Sequence, residues 1–160
     1  MVVFGSLVWI LNLDPLPQDT NYHLFADNRT LMAIPNFLDV ASNLPFLIVG
    51  VIGLRYLRRE ESGDHGLPWS AFFLGVSLVS IGSAYYHWNP TNQSLAWDRL
   101  PMTIAFMGLF AALASEYLGQ RLGALLLAPA IALGIGSVLY WAVVDDLRAY
   151  YWVQLVPMLT

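Results

Sequence analysis

The chain has 160 residues, 58% of them hydrophobic and only 11% charged, with a formal net charge of −4. A soluble globular domain carries about a quarter charged residues, so the composition excludes that class and places the chain in a membrane. An acidic balance with no lysine leaves no basic face for phosphates and excludes nucleic acid as a partner, while the absence of cysteine removes disulfides and thiolate metal sites.

Residues 1–13 are apolar but span only about two-thirds of a bilayer crossing. No basic n-region precedes them and no small-residue cleavage site follows, so they do not read as a signal peptide. Residues 14–35, DPLPQDTNYHLFADNRTLMAIP, hold too much Asp, Asn and Pro to lie in lipid. A surface loop with a short interfacial helix over residues 21–27 is predicted. Four segments then reach the roughly 20 apolar residues that a spanning helix needs: residues 37–57, 67–86, 100–118 and 122–144. The final stretch, AYYWVQLVPMLT, opens another apolar run and is expected to break off inside a transmembrane helix. The prediction is a single all-α domain over residues 1–160. It is a polytopic, multi-pass transmembrane bundle with about five to six helices present, incomplete at its C-terminus.

If every long segment crosses, residues 14–35, the loop at 89–99 and Asp145-Asp146 share one membrane face. Arg55, Arg58, Arg59 and Arg121 lie on the other face, against Arg29, Arg99 and Arg148 on the first. Arginines near helix ends favour the cytoplasm, which makes the face holding the candidate site non-cytoplasmic.

Two clusters on that face carry groups suited to chemistry. In NFLDVASN, Asn36, Asp39 and Asn43 recur at helical spacing with Ser42 beside them. With Asp19, Asp27 or Asn28 from the loop they offer oxygen ligands to a hard cation; alternatively they are interhelical hydrogen-bonding glue. In GSAYYHWNPTNQSLAWDRLPMT, Ser83 and His87 are four apart and project from one helix face. Asp98 follows eleven residues later, after a turn marked by Pro90. Ionisable groups within spans usually face the bundle interior or a wet cavity, and a neutral imidazole binds metal. The plainer reading has Ser83 bonded to a helical carbonyl, His87 at a helix cap and Asp98 paired with Arg99. His23 sits in the polar loop and His65 in the solvated RREESGDHG loop. Asp145, Asp146 and Glu116 mark helix ends.

Those residues make the chain resemble the alkaline ceramidase (alkaline phytoceramidase) family, seven-helix membrane amidases in a superfamily that includes the adiponectin and progestin receptors. The match rests on NYHLFADNRTLMAIPNFLDVASNLPF and on the Ser-x-x-x-His order with the following Asp in the second stretch, about a third of the chain. The resemblance implies a zinc-dependent hydrolase acting on the amide of ceramide or a related N-acyl lipid in the bilayer. His87 corresponds to the first zinc-binding histidine, Asp98 to a carboxylate beside the zinc-bound water that serves as general base, and Ser83 to a serine that steadies the oxyanion. A calcium site in the N-terminal loop and following helix is also implied; Asp19, Asp27, Asn36 and Asp39 fall there, in a different pattern. The family's remaining zinc ligands, a His-x-x-x-His pair on its last helix, have no counterpart in the chain. The stretch is therefore expected to be inactive alone, with a continuation past Thr160 bearing two histidines four apart. A receptor-like member with structural zinc, or a small membrane transporter or scaffold, are the alternatives.

Overall fold

A computed structural model describes residues 2–59 and 66–159. The described residues form helices and no strands: α1 (Val2–Leu11), a 3-10 turn (Thr20–His23), α2 (Phe37–Ala41), α3 (Leu44–Arg59), α4 (Gly66–Trp88), α5 (Asn92–Tyr117), α6 (Gln120–Val144) and α7 (Arg148–Leu159). Four stretches, Phe37–Arg59, Gly66–Trp88, Asn92–Tyr117 and Gln120–Val144, are long and apolar enough to cross a bilayer. The molecule is an all-α integral membrane protein.

The helix count exceeds the expected five to six because the first crossing is broken. Pro45 lacks an N–H and cannot continue the ladder from Ala41. Side chains bond the backbone at the break: Ser42 Oγ donates to Asp39 O at 2.7 Å and Asn43 Nδ2 to the same oxygen at 2.8 Å. The expected helix at residues 21–27 is only the 3-10 turn, capped by Asp19 Oδ1, which accepts from Asn21 N at 2.9 Å.

The larger correction concerns α5. Residues 89–99 were expected to be loop, yet α5 starts at Asn92. A capping box sets that start: Thr91 Oγ1 accepts from Ser94 N at 3.1 Å, and Ser94 Oγ accepts from Thr91 N at 3.0 Å. Asp98 and Arg99 thereby lie inside a helix, and both are buried.

Lipid gives no hydrophobic drive for helices to associate, so small residues that allow close approach decide which faces meet. A Cβ on Gly82 would overlap the Trp97 carbonyl oxygen, and Gly75 and Gly108 sit as tightly on Ala105 and Phe72. Three glycines thus bring the α4 and α5 backbones together along their length. Gly123 against Ala111 and Ser115, and Gly134 against Thr103, do the same for α5 and α6.

The polar stretch before α2 is stapled to the α6–α7 corner. Leu147 N donates to Leu16 O at 2.8 Å, and Gln18 N to Asp145 Oδ1 at 3.0 Å. Asp146 is 1% exposed, accepts from Leu16 N at 3.3 Å and pairs with Arg148 Nη2 at 2.6 Å. Arg148 Nη1 in turn donates to Leu11 O at 2.9 Å and to Leu13 O. Asp146 therefore does more than mark the water boundary. The Arg148 guanidinium beside it holds its carboxyl well below the usual carboxylate range. A depressed native pKa stabilises the fold fully above the unfolded value of about 3.9 and progressively less below it. Asp146→Asn is expected to lower the thermal unfolding midpoint by several degrees at neutral pH. The gap from the unsubstituted protein should hold down to about pH 5 and close as pH falls below about 4, as thermal melts across that range will show.

Candidate active site

Ser83 and His87 occupy the last two turns of α4, and Asp98 the second turn of α5. The Gly82 contact with Trp97 and Asp98 sets their spacing, since it seats the α4 residue preceding Ser83 directly against the α5 backbone. Ser83 is 7% exposed and Asp98 9%. The Ser83 hydroxyl lies within side-chain hydrogen-bonding reach of the Asp98 carboxylate, and His87 and Arg99 are near enough to act on it electrostatically.

This geometry departs from the plainer reading at Ser83 and Asp98, while His87 does stand in the last turn of α4. Ser77 and Ser80, on the same helix, donate to the carbonyls of Phe73 and Ser77 at 2.9 and 2.8 Å. Ser83 instead turns across to α5. Arg99 makes no ion pair with Asp98; it donates to Gln18 Oε1 at 2.7 Å and packs over Trp141 and Tyr150. The His87 ring makes no hydrogen bond among the described residues, and its Nδ1 is buried without a partner. It is held by packing, with Phe25 at a ring-centroid distance of 4.7 Å and Tyr86 at 5.3 Å. Its carbonyl accepts from Asn36 Nδ2 at 2.8 Å. Asn36 reaches it from a left-handed backbone conformation (φ 48°) at the head of α2, one that asparagine tolerates better than most residues.

The other predicted residues serve separate local purposes. Asp19 caps the 3-10 turn. Asp27 accepts from Leu38 N at 3.2 Å and pairs with Arg29, whose guanidinium pulls its carboxyl below the usual range. Asp39 Oδ2 is buried and unpartnered. Among the described residues no three His, Asp or Glu side chains gather as a metal-binding group. His23 is fully engaged, with Nδ1 2.9 Å from Tyr86 Oη and Nε2 2.8 Å from Asn92 Oδ1, so it ties the loop to the ends of α4 and α5. Glu116 accepts from Trp69 Nε1 at 3.2 Å at the opposite end of the bundle. His65 lies outside the described residues.

An apolar groove of about 550 Å³ runs between α4 and α5 beside the Ser83–Asp98 pair. Leu78, Ile81, Tyr85, Trp97, Leu100 and Ile104 line it, and Gly82 forms the wall nearest the polar groups. The sequence does not point to Phe25 and Tyr86 at the site, and it offers Arg99 only as an ion-pair partner of Asp98. The aromatic richness of both motifs is the only signal for Phe25 and Tyr86.

No family model, no curated protein and no solved structure matches the chain.

Proposed function

We propose that the chain carries the catalytic face of a zinc-dependent membrane amidase. It would hydrolyse ceramide or a related N-acyl lipid to a fatty acid and a sphingoid base, as the resemblance to the alkaline ceramidases implies. The observation that carries this reading is the buried Ser83 and Asp98 brought together across the Gly82 contact, with an unpartnered His87 nitrogen one turn along the same helix. A buried hydroxyl and carboxylate with a half-buried imidazole one turn away, behind the Gly82 and Trp97 wall of an apolar groove, suit an amide near the headgroup boundary.

The fit to zinc is partial. A catalytic site uses about three protein ligands and a water; His87 supplies one, and the described residues do not complete the set. When bound, zinc polarises a carbonyl and lowers the pKa of its water to about 7. The residues of this chain then have separable tasks. Asp98, buried and unpaired by Arg99, accepts the proton of the attacking water and returns it to the departing amine. The Ser83 hydroxyl donates to the developing oxyanion; one such donor contributes about 3 kcal/mol. The α4–α5 groove holds one lipid chain beside the Gly82–Trp97 contact.

The test is release of fatty acid from defined N-acyl lipids by the purified full-length protein in nanodiscs. Asp98→Asn keeps the shape and the contact with Ser83 but removes the base, so turnover should fall by about 10²–10⁴-fold with an unchanged melting profile. Turnover in that variant equal to the unsubstituted protein would sink the assignment. Stoichiometric zinc without lipid turnover would instead favour a receptor-like protein.

A further inference from the structure

Arg99 lies about 10 Å into α5 from its start and is 4% exposed. Its Cζ sits 4.0 Å from the Trp141 ring centroid on α6 and 4.8 Å from that of Tyr150 on α7. Nη2 donates to Gln18 Oε1 at 2.7 Å, while Nη1 has no partner. Trp141 is 2% exposed and leaves its own Nε1 unpartnered. Asp98, the adjacent carboxylate, is turned to Ser83 on α4, and the ion pairs among the described residues are Asp27–Arg29 and Asp146–Arg148. A desolvated guanidinium is costly unless paired, and two cation–π contacts offset only part of that cost.

The unmet groups are all of one kind. Guanidinium and indole N–H are donors with no acceptor capacity, so a hydrogen-bond acceptor completes them, and the positive charge selects an anionic one. A guanidinium stacked 4.0 Å from the indole centroid, each group with one free N–H donor and the pair with a single charge, suits a monoanionic carboxylate. Trp141 also walls an apolar groove of about 630 Å³ between α5 and α6, lined by Trp97, Leu100 and Leu139 with Asn92 and Gln93 at its mouth. Asp145 stands at that mouth too, committed to the Gln18 backbone N–H. We infer that Arg99 and Trp141 form a carboxylate site for a single-chain lipid acid whose tail lies in the α5–α6 groove. Both donors are closed to solvent, so entry requires the indole or the Gln18 contact to swing aside. The site needs no turnover, although an N-acyl amidase would release such an acid.

The test compares binding of a long-chain fatty acid, its methyl ester and a lysophosphatidic acid of the same chain. The full chain is held in nanodiscs of neutral lipid at a pH where the acid is ionised. The acid should bind at least about tenfold more tightly than the ester, the loss of a charge-assisted bond. Trp141→Phe keeps an aromatic face under Arg99 but removes the N–H along with part of a buried side chain, so it should cut that preference several-fold at some cost in melting temperature; Arg99→Gln should abolish it. Should Arg99→Gln fail to fold, Trp141→Phe decides alone. Equal binding of acid and ester, tighter binding of the phosphate lipid, or a full preference in Trp141→Phe overturns the inference. Turnover measured on the same preparation keeps the two readings apart. Hydrolysis without acid preference removes the carboxylate site and leaves the amidase, and preference without hydrolysis does the reverse.

Discussion

Replacing His87 by alanine is expected to reduce fatty-acid release to the uncatalysed background and to lower the zinc content of the purified protein in step. The fold should survive the change. The ring makes no hydrogen bond among the described residues, and it is held by contacts with Phe25 and Tyr86, each aromatic pair being worth about 1 kcal/mol beyond its buried area. The Asn36 contact goes to the His87 backbone carbonyl and is indifferent to the side chain. His23→Ala is the matching control, because it removes a histidine from the same face with the opposite balance. Both of its ring nitrogens are hydrogen-bonded, at about 1 kcal/mol net each. That variant should melt earlier yet keep its zinc. Zinc content by elemental analysis, set beside thermal melts and turnover, separates the two. Full turnover in His87→Ala would end the hydrolase reading, whatever the metal content.

That contrast shows what the residue pattern reveals and what it conceals. The crossings were legible because a run of some 20 apolar residues has few other uses. The nearness of Ser83, His87 and Asp98 was legible because helical spacing puts the first two on one face and Pro90 returns the chain. Hydropathy measures polarity but not whether a polar group is satisfied. For that reason it moved the start of α5 from Asn92 to residue 100, although TNQS spells a capping box with serine in the place of the usual Glu or Gln. The same shift hid the burial of Arg99, whose partners come from Gln18, Trp141 and Tyr150, far away in sequence. Hydropathy likewise makes Asp146 look like a boundary marker, when that residue anchors Leu16 and Arg148 at the α6–α7 corner. Tertiary partners decide the role of each of these charges, and no local pattern encodes them.

Gly82→Ala is expected to cost most of the activity while adding a single methyl group. In the middle of a helix alanine is the better residue by about 1 kcal/mol, so propensity alone favours the variant. Packing reverses the sign. The new Cβ would meet the Trp97 carbonyl oxygen and carbon and approach Asp98 Cα. Backbone atoms have no rotamer with which to yield, so α4 and α5 must separate, and overpacking of this kind typically costs about 1–3 kcal/mol. The first groups parted are Ser83 and Asp98, since both are next to the contact. A displacement of about 1 Å between reacting groups lowers turnover by about 10²-fold, so activity should fall much further than the melting temperature. Gly136→Ala provides the counter-case on α6. Nothing lies within 4 Å of its added Cβ, so only propensity acts, and the melting temperature should stay level or rise with turnover intact. Comparing the two variants by melting and by N-acyl lipid hydrolysis tests whether close approach at this one glycine builds the site. If Gly82→Ala hydrolyses lipid as fast as Gly136→Ala, the Ser83–Asp98 juxtaposition is not what the chemistry uses.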